Sequence, residues 1–346
     1  MNDVRSMSPQ QLEALLAPWG QPPYRARQLF GWLHRRCARS FDEMSDLPAS
    51  LRAALSETCF VDAITECRRQ TSRDGTIKFL FALRDGNTVE TVLMGHSYGN
   101  SLCVSTQVGC AMGCAFCASG LGGRVRNLTA GEMLLQLDEA SRLTGRSVDS
   151  VVLMGMGEPL DNFDNLLRFL ELVHHPDGRN LSHRHISLST CGLVDRILEL
   201  AEYQLQLTLS VSLHAADNKT RDRIMPINKK YPLEVLMAAC RRYFAQTGRR
   251  ISYEYALVQG INDSPRQAEA LVALLQGQTC HVNLIFVNPV AGRGFTRTER
   301  APAEAFLDVL TSHGLAATIR RELGTDINAA CGQLRRNDAK GEATCG

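Results

Sequence analysis

Cys110, Cys114 and Cys117 stand in the stretch Gly109-Cys110-Ala111-Met112-Gly113-Cys114-Ala115-Phe116-Cys117, a C-x3-C-x2-C spacing that brings three thiols onto one tight loop. Three thiolates can fill three corners of a tetrahedral metal site or hold three irons of a cubane iron-sulfur cluster. Either way one position stays open for a substrate. The plain alternative is three small apolar core residues, but core packing has no reason to choose this spacing. The chain carries 12 Cys in 346 residues, without a signal-peptide pattern at its start or an apolar run approaching a membrane span. A cytoplasmic setting is expected, where cysteines act as metal ligands and working thiols more often than as a disulfide framework.

Other residues carry weaker signals. Gly157 and Glu158 follow an apolar run, where a flexible backbone can approach a ligand and a carboxylate can receive its ammonium. His214 closes the run Leu207 to Leu213, and Glu90 sits in Val89-Glu90-Thr91-Val92. Taken singly, such a histidine is a core residue and such a glutamate faces solvent. Cys37, Cys59, Cys67, Cys191, Cys240 and Cys280 lack ligand spacing, and Cys345 stands in a polar tail. Net charge is only +2, yet arginines cluster at Arg25, Arg27, Arg35, Arg36 and Arg39, around Arg241 to Arg250, and at Arg320, Arg321, Arg335 and Arg336. Clusters of this kind suit phosphates, although any one of them reads equally as a solvated helix face.

These residues need a frame. The first 60 or so positions read as short helices: a capping box at Ser8 and Gln11, helical apolar spacing from Tyr24 to Cys37, and a further helix from about Ser50. Ile77 to Leu83 and Val89 to Met94 flank Arg84-Asp85-Gly86-Asn87-Thr88 as a β-hairpin. Strands are then expected at Val104–Val108, Ser150–Gly155, His185–Ser189, Leu207–Leu213, Ile251–Leu257 and Val282–Val287, alternating with helices such as Thr129–Leu143 and Pro232–Thr247. Six βα units predict an α/β fold, a partial (β/α)6 barrel whose functional residues gather at the C-terminal strand ends. The expected division is a helical accessory domain over 1–75, a hairpin linker over 76–95, the barrel over 96–330 and a C-terminal segment over 331–346.

Leu102-Cys103-Val104-Ser105-Thr106-Gln107-Val108 before the triplet, Arg126-Asn127-Leu128 after it, Gly155-Met156-Gly157-Glu158-Pro159 and Ala330-Cys331-Gly332-Gln333-Leu334 together resemble the radical S-adenosylmethionine (SAM) adenosine C2 methyltransferases of ribosomal RNA. The resemblance implies a [4Fe–4S] cluster on Cys110, Cys114 and Cys117, and two SAM per turnover. It implies that Gly157, Glu158, Ser189, Ser212, Leu213, His214 and Asn288 contact SAM. Cys331 would be premethylated and carry the carbon to adenine C2, Cys103 would resolve the covalent protein–RNA adduct, and Glu90 would accept a proton. The implied substrates are adenosine 2503 of 23S rRNA and, in some members, adenosine 37 of tRNAs. An external electron donor and a disulfide reductant are implied partners, and a monomer is expected, with no membrane association. Two alternatives stand beside this reading: the sister activity that methylates adenosine C8, and a non-catalytic RNA-binding protein with a zinc site built from the triplet and Cys103.

Overall fold

A computed structural model of the chain describes residues 1–288, Val290 and 292–334. The chain starts with β1 (Asn2–Asp3), then α1 (Pro9–Leu16), α2 (Pro23–His34) and α3 (Ala49–Thr58), and β2 (Cys59–Phe60) returns to pair with β1 in parallel. The Ser8/Gln11 capping box is formed on both sides. In α2 the residues Ala26, Leu29, Phe30 and Leu33 follow helical spacing and are all buried. This module is fastened to the rest of the molecule by Arg5, fully buried, which donates to Leu33 O (2.7 Å), Ala38 O (2.6 Å) and Asp138 Oδ2 (3.0 Å).

One ten-stranded sheet organises everything that follows. Its strands are β3 (Thr65–Thr71), β4 (Ile77–Ala82), β5 (Thr88–His96), β6 (Gly99–Cys103), β9 (Ser150–Leu153), β10 (Ile186–Thr190), β11 (Thr208–Ser212), β12 (Ile251–Leu257), β13 (Cys280–Phe286) and β14 (Ala317–Ile319). A separate ribbon pairs β7 (Gln107–Gly109) with β8 (Arg124–Asn127). β3 to β6 form an antiparallel meander, while β6 and β9 to β14 run parallel. The crossovers carry α4 (Ala130–Thr144), α5 (Phe163–His174), α6 (Val194–Glu202), α7 (Asn218–Ile224), α8 (Leu233–Thr247), α9 (Pro265–Leu275) and α10 (Arg300–Ser312). This is the expected α/β partial barrel of six βα units, closed by the short β14. Among the described residues no helix is long and apolar enough to cross a membrane.

The structure corrects several sequence expectations. The first barrel strand is Gly99–Cys103, not Val104–Val108. The apolar run at 104–108 leaves the sheet because it has another partner: Val104 O accepts from Gly155 N (3.1 Å), and Thr106 N and Gln107 N both donate to Met156 O (2.8 and 3.1 Å). Thr65–Thr71, expected in the helical module, is an edge strand; its two faces are both largely exposed, so no apolar alternation announces it. β14 was likewise not anticipated, being three residues long with no buried residue. The hairpin expected over 76–95 is no separate linker element, since β5 continues the barrel sheet by pairing with β6. The remaining strands agree within a few residues, and Ile251–Leu257 agrees at both ends. Thr129 and Glu132 cap α4 as a capping box. Arg335, Arg336 and Cys345 lie outside the described residues.

Candidate active site

The triplet loop emerges from β7. Its entry is fixed by Gly109, at φ +75°, where a Cβ would lie 2.0 Å from Gly123 O. Ala115 N donates to Ile224 O (2.8 Å) and Cys117 N to Cys114 O (3.1 Å), so the loop is tied to α7 and to itself. Cys110, Cys114 and Cys117 are half-buried and line one wall of a cavity of about 150 Å³. Burial pushes the Cys110 thiol up to about 12 and raises Cys114 as well, with the neighbouring thiols adding to the effect at Cys114. These sulfurs therefore need a cation before they become thiolates. Behind them Arg221, fully buried, donates to Leu213 O (3.0 Å), Cys191 O (2.9 Å), Ser212 O (3.2 Å) and Asn228 Oδ1 (3.0 Å). It has no carboxylate in ion-pair contact among the described residues; burial disfavours its charge, and Cys191 and then Cys114 are foremost among the neighbours that oppose this. A buried cation next to protonated thiols is a poor arrangement; next to an anionic iron-sulfur cluster it is a good one.

The opposite wall comes from the parallel strand ends. After β9 the chain turns through Gly155 and Gly157; a Cβ at Gly157 (φ +106°) would meet Gln107 Cβ at 2.6 Å, so the turn lies flat on the segment before the triplet. Glu158 Oε2 accepts from Cys191 N (2.8 Å) and Oε1 from Leu160 N (3.1 Å). Burial raises its pKa, and these donors together with the side chains of Thr190 and Cys191 oppose that, which fixes the carboxyl group on the cavity wall. Ser189 of β10, Ser212 of β11, His214 and Asn288 complete this wall. His214 takes φ +57° and its Nδ1 accepts from Ala256 N (2.9 Å), so the proton sits on Nε2. Phe116 of the triplet loop stands edge-on to this ring at 4.9 Å. Leu213 is not in the wall: it is fully buried and contributes its backbone, N to Glu254 O (3.0 Å) and O to Arg221.

A second cavity, about 320 Å³, adjoins the first. It lies between the β5–β6 hairpin and the end of β14, where the curled sheet brings its parallel ends together. Cys103 lines this chamber and not the first, so the triplet and Cys103 are not assembled as one four-thiol zinc site; among the described residues no three metal-ligating side chains converge on a single-ion position. Burial pushes the Cys103 thiol up to about 12, Cys331 adds to this and Arg320 opposes it. Cys331 lines both chambers. Its loop is docked on the mouth by Asn288 Nδ2 to Cys331 O (3.2 Å), Ala118 N to Gly332 O (2.8 Å) and Ser119 Oγ to Leu334 O (2.6 Å). Glu90 lines neither chamber. It is buried beneath this loop and paired with Lys78 (3.2 Å), whose ammonium also donates to Asn328 O (3.1 Å).

Sequence reasoning missed Glu254 and Arg320. Glu254 is a buried carboxylate on the wall of the first chamber whose Oε1 accepts from Asn283 Nδ2 (2.9 Å), with Oε2 lacking a hydrogen-bond partner within 3.5 Å among the described residues. A lone acid inside Ile251–Leu257 was the signal. Arg320 lines both chambers, and Cys331 is the neighbour that most favours its charge; it was noted only as one of a phosphate-binding cluster.

Two family models match parts of the chain: the radical SAM superfamily over residues 104–271, and the ribosomal RNA large subunit methyltransferase N-terminal domain over residues 2–61. Among curated relatives, a probable dual-specificity RNA methyltransferase RlmN of Desulforamulus reducens is 51% identical, with 96% of each chain covered. Its counterpart in Lachnospira eligens is 48% identical over 97% of this chain and 96% of its own. The chain belongs to the RlmN family of radical SAM RNA methyltransferases. The crystal structure of a radical SAM methyltransferase from Sphaerobacter thermophilus superposes with a TM-score of 0.92 at 44% identity, covering 96% of this chain and 99% of that one. As an RlmN-type enzyme the protein works with a [4Fe–4S] cluster and SAM on an RNA substrate.

The buried imidazoles give this RlmN-type chain a pH signature. Burial, reinforced by Arg221 at His214 and by Arg5 and then His175 at His34, lowers both rings to about 3. The unfolded chain takes up these protons near pH 6.5 and the folded chain refuses them, so stability is full above pH 6.5 and falls as pH drops toward 3. The expected slope is about 1 kcal/mol per pH unit for each ring. Urea midpoints from pH 7 to pH 5 should fall, and His34→Leu should flatten the decline; an unchanged slope in that variant would contradict the assignment.

Proposed function

We propose that this enzyme methylates C2 of adenosine 2503 in 23S rRNA, and C2 of adenosine 37 in tRNAs, with the carbon carried by Cys331. The observation that carries the reading is the position of Cys331 on the wall shared by two chambers, one holding the Cys110/Cys114/Cys117 triplet and the other Cys103. In this reading SAM occupies the first chamber, held by Gly157, Glu158, Ser189, Ser212, His214 and Asn288 around it and by the backbone of Leu213 behind them. Cys110, Cys114 and Cys117 would hold the cluster, which when bound would supply the one-electron reduction that lets a second SAM abstract hydrogen.

The chain's own residues do the rest. The Cys331 sulfur, beside Arg320 on the chamber wall, attacks the SAM methyl group; the S–C bond forms as the sulfonium bond breaks, and S-adenosylhomocysteine and the thiol proton leave. After that methyl group loses a hydrogen atom, the carbon bonds to adenine C2, an electron-poor position between two ring nitrogens, and the adduct gives up the one electron that SAM cleavage had consumed, which would return to the cluster. Glu90, the proton acceptor the family resemblance implies, lies outside both chambers in its pair with Lys78, which also holds the carbonyl of Asn328, so it would receive the C2 proton through a shift of that loop. Cys103 then attacks the sulfur of Cys331; the S–C bond breaks with its electron pair on carbon, which takes up a proton and leaves with the RNA as its methyl group. The resulting disulfide needs two electrons from an external thiol reductant to reset. The basic residues of the N-terminal module are the expected RNA clamp, in a cytoplasmic, monomeric enzyme.

The test is mass spectrometry of nucleosides from a 23S rRNA fragment and from a tRNA, each incubated with reconstituted enzyme, SAM and reductant. 2-Methyladenosine in both is the expected result. 8-Methyladenosine would replace this reading with the C8 activity, and a modified rRNA beside an unmodified tRNA would remove the second substrate.

A further inference from the structure

At the rim of the second chamber the β5–β6 turn holds two rings in a stack. The ring centroids of His96 and Tyr98 lie 4.9 Å apart, with planes 2° from parallel. Tyr98 is 78% exposed, so one face of the phenol rests on the imidazole and the other is open to solvent. Both residues line the chamber that contains Cys103 and Cys331.

Arg320 and Arg321 line the same chamber. Arg321 is exposed and makes no ion pair among the described residues, because the adjacent carboxylate of Glu322 is taken by both Nη atoms of Arg297 (2.5 Å each). Burial and these two arginines lower the His96 pKa, which keeps the ring neutral and able to stack. An ordered aromatic face left in water gains nothing for the fold. Set next to an unpaired guanidinium, it has the chemistry that single-stranded nucleotides require: a flat apolar surface for a base and a cation for its phosphate.

A target base drawn into a closed chamber must leave its stack, and its neighbour then loses a stacking partner. We propose that the His96–Tyr98 stack is a platform that receives the base adjoining the target adenosine, with Arg321 on the phosphate between them. This rests on the reading that RNA is the acceptor in the second chamber. The platform accepts any base, because every base has a π-face, and so it secures an unstacked conformation instead of reading sequence.

The experiment uses the full-length reconstituted enzyme with SAM and an RNA hairpin carrying 2-aminopurine beside the target adenosine. Binding should quench the 2-aminopurine fluorescence as the base stacks on Tyr98. Tyr98→Ala should lose the quench and raise the KM for RNA about tenfold, and Tyr98→Phe should restore both. Thermal midpoints of the variants identify any folding defect. A correctly folded Tyr98→Ala enzyme with wild-type quench and KM would overturn the platform. If instead wild-type enzyme fails to methylate the unlabelled hairpin, it is the RNA acceptor reading that fails.

Discussion

Cys331→Ala should lose RNA methylation by a factor on the order of 10³ or more, while the protein still holds its iron and still binds SAM. The reason is chemical and positional. Alanine cannot accept a methyl group, and among the described residues no other thiol borders both chambers: the triplet cysteines and Cys191 line only the first, and Cys103 lines only the second. The iron should survive because the docking contacts of this loop run through backbone groups, Cys331 O, Gly332 O and Leu334 O, which the substitution leaves in place. Iron content, the visible absorption of the cluster and SAM affinity by calorimetry should match wild type. Substantial methylation by the variant would end the carrier role.

Cys103→Ala should behave differently, and the contrast is the more informative result. The first half of the reaction uses Cys331 and the first chamber, so carbon should still reach the adenine. Release needs a second sulfur, and among the described residues Cys103 is the thiol that shares the second chamber with Cys331. Protein covalently attached to RNA should accumulate to about one equivalent, visible as a nuclease-sensitive shift on a denaturing gel, with multiple turnover absent. Because the Cys103 thiol is pushed up to about 12 by burial, with Cys331 contributing and Arg320 opposing, wild-type release should also quicken with rising pH. Free methylated RNA produced repeatedly by Cys103→Ala would remove the resolving role.

Much of this architecture was legible because the signals are local. Capping boxes at Ser8/Gln11 and Thr129/Glu132 are read from four residues each, and both form. The triplet is equally local, and the alternation of apolar strands with amphipathic helices yields six βα units without tertiary information. What stayed hidden depends on partners far away in the chain. Gly99-Asn100-Ser101 has the composition of a turn, yet it forms a strand because β5 and β9 flank it. Val104–Val108 has the composition of one sheet strand, yet the Gly155–Met156 turn takes backbone groups of Val104, Thr106 and Gln107, and only Gln107 and Val108 are in a strand, that of the separate β7–β8 ribbon. Glu90 reads as a surface acid and is instead buried against Lys78. The second chamber could not be read at all, because its walls come from Ser101, Val152, Phe286 and Arg320, which only the curl of the sheet brings together.

The docked position of Cys331 also bears on time. A carrier that belonged to one chamber would have to be ferried to the other by a loop excursion, a motion of nanoseconds to microseconds that breaks and remakes its contacts. A side chain on the partition needs only to change rotamer, which takes picoseconds to nanoseconds at an accessible position. Delivery of the carbon is therefore far too fast to govern turnover. The slow steps fall to events at the boundaries of the molecule, where RNA must enter and leave and where reducing equivalents must arrive.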